Sequence, residues 1–317
     1  MPFLPPGDVG VTVQSGTLCT VEVNTEDRGV RVTRPCAKST WMRRDTATVR
    51  FHPSNPTAIT THISEPAEEL AMRTWDMETG SLLSTCPLPC VAWDFAVSRD
   101  GDMAAIACSD TNVKLVNLRR PTSIAANLVM HTADAVSVDF SHARPTMLVS
   151  GGLDGSVCLW NTTTQNCVEK VRIHEAAVCD VAFARDRHEF ASAGMDGLVH
   201  HWQLTSSGAR AVDFRRSRWA RCYSVAYGTD GGRLFAVGYD DGIVNVWDRR
   251  LSPLVKSCFA LFLRQECGAP RELQFHPTLP YKLLVDGSDG GACVDLRTPY
   301  QVQLGTPTTT SAPAGVM

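Results

Sequence analysis

Thiols, imidazoles and one arginine-rich run are the side chains of this 317-residue chain that could carry chemistry. Cys86 and Cys90 form a C-x3-C pair with Pro87 and Pro89 between them, but no second pair at metal-ligand spacing accompanies it, so no metal site is expected. Phe51-His52-Pro53 and Phe275-His276-Pro277 each end an apolar run, which makes the histidines turn residues. The run from Phe214 to Arg221 gathers Arg215, Arg216, Arg218 and Arg221 around Trp219. Such a set could recognise phosphate, RNA or an acidic peptide, although its place between two strand patterns reads as a solvated connection. No G-x-S-x-G elbow, H-E-x-x-H helix, phosphate-cradling G-x-x-x-x-G-K-[ST] loop or dinucleotide G-x-G-x-x-G turn is present, so no catalytic residue and no cofactor is assigned.

Thirty Lys plus Arg against 33 Asp plus Glu give a formal charge of −3, which provides no global attraction for a polyanion. Nucleic acid is therefore expected only through the four arginines. The start, Met1-Pro2-Phe3-Leu4-Pro5-Pro6, has neither a basic nor an apolar signal segment, and no run approaches the roughly 18 apolar residues of a membrane span. The expectation is a soluble protein of the cytoplasm, the nucleus or both. Cys108, Cys158, Cys179, Cys222 and Cys293 sit inside apolar runs and read as buried free thiols in a reducing compartment.

The elements that must position any site are set by repetition. Leu148-Val-Ser-Gly-Gly-Leu-Asp-Gly-Ser-Val-Cys-Leu-Trp160 recurs as Phe190 to Trp202 and again as Leu234 to Trp247. Each copy joins two alternating apolar strands by an Asp-Gly turn, a strong hairpin signal. Weaker copies end at Trp75, Val116 and Val294, so the unit recurs about every 40 to 45 residues, the period of four-stranded propeller blades. Between Asp289 and Val294 the last copy reads one residue short, leaving its register open.

On these residues the chain resembles the WD-repeat family of β-propellers across residues 45–297. The resemblance implies a buried tetrad of His, Ser or Thr, Asp and Trp in each blade. It assigns His131, Ser150, Asp154 and Trp160 to one tetrad and His174, Ser192, Asp196 and Trp202 to the next. A His-Ser-Asp trio also has the composition of a nucleophilic triad, but its repetition in successive blades argues for a structural role. The copy ending at Trp247 has Arg218 and Val237 in place of His and Ser.

The expected fold is all-β: one closed propeller over residues 1–304 with seven blades of four antiparallel strands. Six blades are the recognisable repeats of 45–297. The seventh is a degenerate one in 1–44, where Val9–Val13, Leu18–Val23 and Val30–Thr33 read as strands, with Tyr300–Leu304 helping to close the ring. Residues 305–317, rich in Thr, Pro, Ala and Gly, read as a disordered tail.

The resemblance further implies that partners dock on the top face. Its three top-face positions per blade project onto Trp93, Val136, Leu153, Met195, Arg221, Tyr223, Asp240 and Arg271, among others. Apolar and aromatic anchors beside arginine are typical of interface hot spots. The function expected is a non-catalytic scaffold or adaptor that docks a peptide or protein within a multisubunit complex. Two alternatives stand beside it. Trp247-Asp248-x-Arg250, with Asp295 and Arg297 one blade later, fits a W-D-x-R pattern that in part of the family contacts the adaptor of a cullin-RING ubiquitin ligase. A propeller hydrolase with residues scattered around the channel is the other.

Overall fold

Short apolar runs bounded by turn residues become strands here, and their burial shows how the strands are layered. In the repeat ending at Trp160, Met147–Gly152 is buried at every position and Ser156–Asn161 at all but the last, whereas Asn166–Arg172 is buried nowhere. Middle strands covered on both faces tolerate continuous apolar sequence, and an outer strand need only alternate. This gradient is the mark of sheets stacked face to face around an axis.

The computed structural model describes residues 9–14, 17–24, 29–35, 46–62, 70–185, 187–216, 220–249, 259–263, 268–276, 279–288, 291–297 and 302–304. It contains six four-stranded antiparallel blades. The three-stranded sheet at the N-terminal end is β1 (Val9–Gln14), β2 (Thr17–Asn24) and β3 (Gly29–Pro35). The first blade is β4 (Thr46–Phe51), β5 (Thr57–His62), β6 (Ala71–Asp76) and β7 (Leu82–Pro87). The second is β8 (Ala92–Val97), β9 (Met103–Cys108), β10 (Asn112–Asn117) and β11 (Ile124–Val129). The third is β12 (Ala135–Phe140), β13 (Met147–Gly152), β14 (Ser156–Asn161) and β15 (Asn166–Arg172). The fourth is β16 (Val178–Phe183), β17 (Glu189–Gly194), β18 (Leu198–Leu204) and β19 (Ala209–Arg216). The fifth is β20 (Cys222–Tyr227), β21 (Leu234–Tyr239), β22 (Ile243–Asp248) and β23 (Phe259–Phe262). The sixth is β24 (Pro270–Phe275), β25 (Lys282–Gly287), β26 (Gly291–Asp295) and β27 (Val302–Leu304).

Each joint between blades has its own apolar core. One packs Phe95 and Ile106 of the second blade against Ile59 and Met72 of the first, and another packs Phe183, Phe190 and Trp202 of the fourth against Val149 and Leu159 of the third. No blade buries both faces alone, so each depends on its neighbours.

Three expectations change. Val294 pairs with Leu283 as Trp160 pairs with Leu148, so the last repeat is in register despite its shortened turn. The strand expected within Tyr300–Leu304 is Val302–Leu304, and it pairs with β26 as the fourth strand of the sixth blade. Phe214, Arg215 and Arg216 lie in β19, paired with β18, because the outer strand of the fourth blade runs on past the expected loop boundary. Arg218 and Trp219, like Asp45, Arg250, Asp289 and 305–317, lie outside the described residues.

Candidate functional site

Two blades contain a complete hydrogen-bonded tetrad. Trp160 Nε1 donates to Ser150 Oγ at 2.9 Å, Ser150 Oγ lies 2.8 Å from His131 Nε2, and His131 Nδ1 lies 3.1 Å from Asp154 Oδ1. The corresponding separations for Trp202, Ser192, His174 and Asp196 are 3.1, 2.9 and 3.1 Å. One proton assignment satisfies every group: Nδ1–H donates to the carboxylate, and the serine O–H donates to Nε2 while accepting from the indole. Burial lowers the pKa of both histidines, which keeps them neutral at pH 7. This is the hydrogen-bond order of a nucleophilic triad, yet both serines are fully buried and each Oγ is capped by an indole. No substrate can reach them. A partial version joins Trp75 Nε1 to Thr60 Oγ1 at 2.9 Å in the first blade.

A second feature lies on the inner strands. All six carry a β-bulge at the same place, between Thr46 and Thr48, Ala92 and Asp94, Ala135 and Ser137, Val178 and Asp180, Cys222 and Ser224, and Pro270 and Glu272. The unpaired residue in each is Ala47, Trp93, Val136, Cys179, Tyr223 or Arg271, and four of these, Trp93, Val136, Tyr223 and Arg271, are positions that the resemblance projects onto the top face. A bulge re-aims the side chains around it, so a surface position and an axial position can follow each other directly.

In the second to fifth blades the residue after the bulge ties neighbouring blades together. Asp94 Oδ2 accepts Val138 N–H at 3.3 Å, Asp180 Oδ2 accepts Val225 N–H at 2.8 Å and Ser224 O–H at 3.0 Å, and Ser224 Oγ accepts Leu273 N–H at 3.1 Å. Ser137 Oγ accepts Val181 N–H and lies 2.8 Å from Asp180 Oδ1 and 3.3 Å from Asp94 Oδ2. Arg50 spans the remaining distance, donating to Glu272 at 2.7 Å and to Asp94 at 3.1 Å. Asp139, one turn of the pleat further along, accepts Phe183 N–H at 2.7 Å. None of these groups was singled out from sequence.

Charge in this belt is set by competition. Burial works against the Arg50 cation, but Glu272 and Asp94 outweigh it and raise its pKa. Burial raises Asp94, opposed by Arg50, and pushes Asp139 and Asp180 up to about 7. A carboxyl with a raised folded pKa contributes stability below its unfolded pKa of roughly 3.9 and loses that contribution as pH rises through the folded value. The neutral tetrad histidines act in the opposite sense and lose their contribution only as pH falls below about 6.5. The urea midpoint is therefore expected to fall between pH 6.5 and 8; a midpoint that rises over this window overturns the assignment.

On the rim at the bulge end of the blades, Trp93 is 42% exposed, Leu153 46% and Met195 37%, one in each of three successive blades. Trp93 Nε1 donates to Asp134 Oδ2, at the start of the next blade, at 3.1 Å. Arg221 and Arg271 are exposed, while Val136, Tyr223 and Asp240 are partly buried. On the opposite rim, Asp248 accepts Arg233 Nε at 3.0 Å, and Arg297 folds back on Asp295 with contacts of 3.0 and 2.6 Å. Among the described residues, no helix is long and apolar enough to cross a membrane.

Six four-stranded antiparallel blades, two of them with His-Ser-Asp-Trp tetrads, define a β-propeller. The family model described as "WD domain, G-beta repeat" matches residues 123–161, 165–203 and 217–248, so this part of the chain carries WD repeats. It is similar to "Nuclear distribution protein PAC1" of Arthroderma benhamiae, 24% identical over 295 aligned residues that cover 83% of this chain and 62% of the relative. It is also similar to "Guanine nucleotide-binding protein subunit beta" of Zea mays, 27% identical over 57% of this chain and 44% of the relative. The same-named protein of Solanum tuberosum is 31% identical over 39% and 34%. The chain thus spans less than two thirds of the length of these relatives.

Proposed function

We propose that the chain is a non-catalytic interaction scaffold that receives a peptide or protein on the top face of its propeller, as part of a multisubunit complex. The observation that carries this reading is the arc of exposed Trp93, Leu153 and Met195 across the second, third and fourth blades. Isolated exposed apolar residues are ordinary; three on adjacent blades of one rim, followed by exposed Arg221 on the fifth blade and Arg271 on the sixth, resemble a docking patch. Relatives named as a subunit make assembly with other proteins the natural setting. The channel carboxylates accept hydrogen bonds from neighbouring blades, which favours stapling over hydrolysis. The ligase-adaptor alternative gains nothing comparable, since Asp248 and Arg297 are engaged within their own blades.

A seven-bladed ring over residues 1–304 belongs to the same reading. The three-stranded sheet has β1 beside β4 and β3 beside β27, the place a closing blade occupies. Arg50 of β4 reaches Glu272 of β24 past that position.

Replacing Trp93 and Tyr223 together with Ala is expected to remove the main co-purifying partner in an affinity purification while leaving the thermal midpoint within a few degrees. An unchanged partner set with an intact fold overturns the top-face assignment.

A further inference from the structure

The second blade departs from its neighbours in a coordinated way. At the positions of tetrad His, Ser and Trp it carries Leu88, Ile106 and Val116, all buried in one apolar cluster. In the third and fourth blades the His ring lies against a glycine: a Cβ on Gly152 would stand 2.6 Å from His131 Nδ1, and one on Gly194 would stand 2.4 Å from His174 Nδ1. The equivalent residue of the second blade is Cys108, which pairs with Ala92 as Gly152 pairs with Ala135. Without an imidazole to accommodate, that position can carry a thiol beside the turn carboxylate.

The space is occupied by a compact donor set. The sulfurs of Cys90 and Cys108 and a carboxylate oxygen of Asp110 all lie within 4.8 Å of one another. Where Asp154 and Asp196 meet an imidazole, Asp110 meets the Lys114 ammonium at 2.5 Å, and Lys114 also donates to Asn127 Oδ1 at 3.2 Å. Cys90 is half-buried and Asp110 keeps a third of its side chain exposed, which keeps the donor set within reach of solvent.

We propose that Cys90, Cys108 and Asp110 form a binding site for a thiophilic divalent cation, with Zn2+ the best match. Two sulfurs and one oxygen are a borderline-soft set that suits Zn2+ better than Mg2+ or Ca2+. Zn–S bonds of about 2.3 Å and Zn–O bonds of about 2.0–2.2 Å in a tetrahedron place ligand atoms roughly 3.5–3.8 Å apart, inside the observed span. Binding displaces both thiol protons to solvent. The two thiolates and the carboxylate then carry three negative charges, balanced by the cation and Lys114. Lys114 supplies an outer-shell contact that holds Asp110 in place, and solvent takes the fourth position. Cys90, just before β8, meets Cys108 at the end of β9, a neighbour that the C-x3-C spacing with Cys86 does not suggest.

The test uses the full chain, reduced and stripped with a chelator, with Co2+ as the probe. A thiolate-to-cobalt absorption band that saturates near about one equivalent and is abolished by added Zn2+ is expected. It should vanish in Cys90→Ala, whose site lies outside the strands, and persist in Cys167→Ala, which removes a thiol of the third blade. No band, or a band that survives Cys90→Ala, overturns the site. So does a protein that takes up no metal and merely forms a Cys90 to Cys108 disulfide under mild oxidant.

Discussion

Trp160→Ala is expected to lower stability by about 3–5 kcal/mol, read as a drop in urea midpoint with little change in slope. The indole is 1% exposed and packs in the joint between the second and third blades with Phe140, Leu148 and Ala105. Truncation leaves a cavity between two sheets that meet other blades on their far sides, so neither can close in to fill it. A second loss comes from the tetrad, because Ser150 Oγ no longer receives the indole N–H. Trp160→Phe separates the two contributions: it retains most of the packing and removes the donor, for a cost nearer 1 kcal/mol. The comparison with Val116 is instructive, since the second blade fills the same position with an aliphatic side chain next to Leu88 and Ile106. If Ala cost less than about 1 kcal/mol, the tetrad tryptophan would not be a main support of that joint.

The legible part of the sequence was the part in which several residues mark one geometry together. In the third and fourth blades, the Asp-Gly turn, Trp and His all fall at the required spacing, and glycines at φ 71° and 76° close the turns. The second and sixth blades keep a turn aspartate, Asp110 and Asp289, but carry Val116 and Val294 at the tryptophan position, so their period did most to reveal them. The axial belt was not legible because its members differ in type. Asp94, Ser137 and Asp180 recur at intervals of 43 residues with Ser224 44 further on, and that periodicity appears only when the repeats are aligned on their bulges. A polar residue recurring inside otherwise apolar inner strands was the available signal. The resemblance projected docking positions onto the residues at the bulges, but the bulge itself was not legible, since it lies in backbone pairing.

Asp180→Asn is expected to be tolerated at neutral pH and to flatten the stability profile between pH 6.5 and 8, whereas Asp180→Ala should cost about 2–4 kcal/mol. The contrast follows from a proton count. Ser137 has one hydrogen but faces two carboxylates, Asp180 at 2.8 Å and Asp94 at 3.3 Å, while its oxygen also accepts Val181 N–H. Asp94 is held ionised by Arg50, so the Ser137 hydrogen goes there. Asp180 is then best protonated on Oδ1 and donates to Ser137, in keeping with the rise of its pKa to about 7 by burial. Its other oxygen still accepts Ser224 O–H and Val225 N–H. An asparagine reproduces that pattern, with Nδ2 donating and Oδ1 accepting, and it has no proton to lose as pH rises. Alanine leaves Val225 N–H and Ser224 O–H without their acceptor in a buried joint between three blades. Equal losses for Asn and Ala would mean that Asp180 is ionised in the folded chain and that the Ser137 hydrogen points the other way.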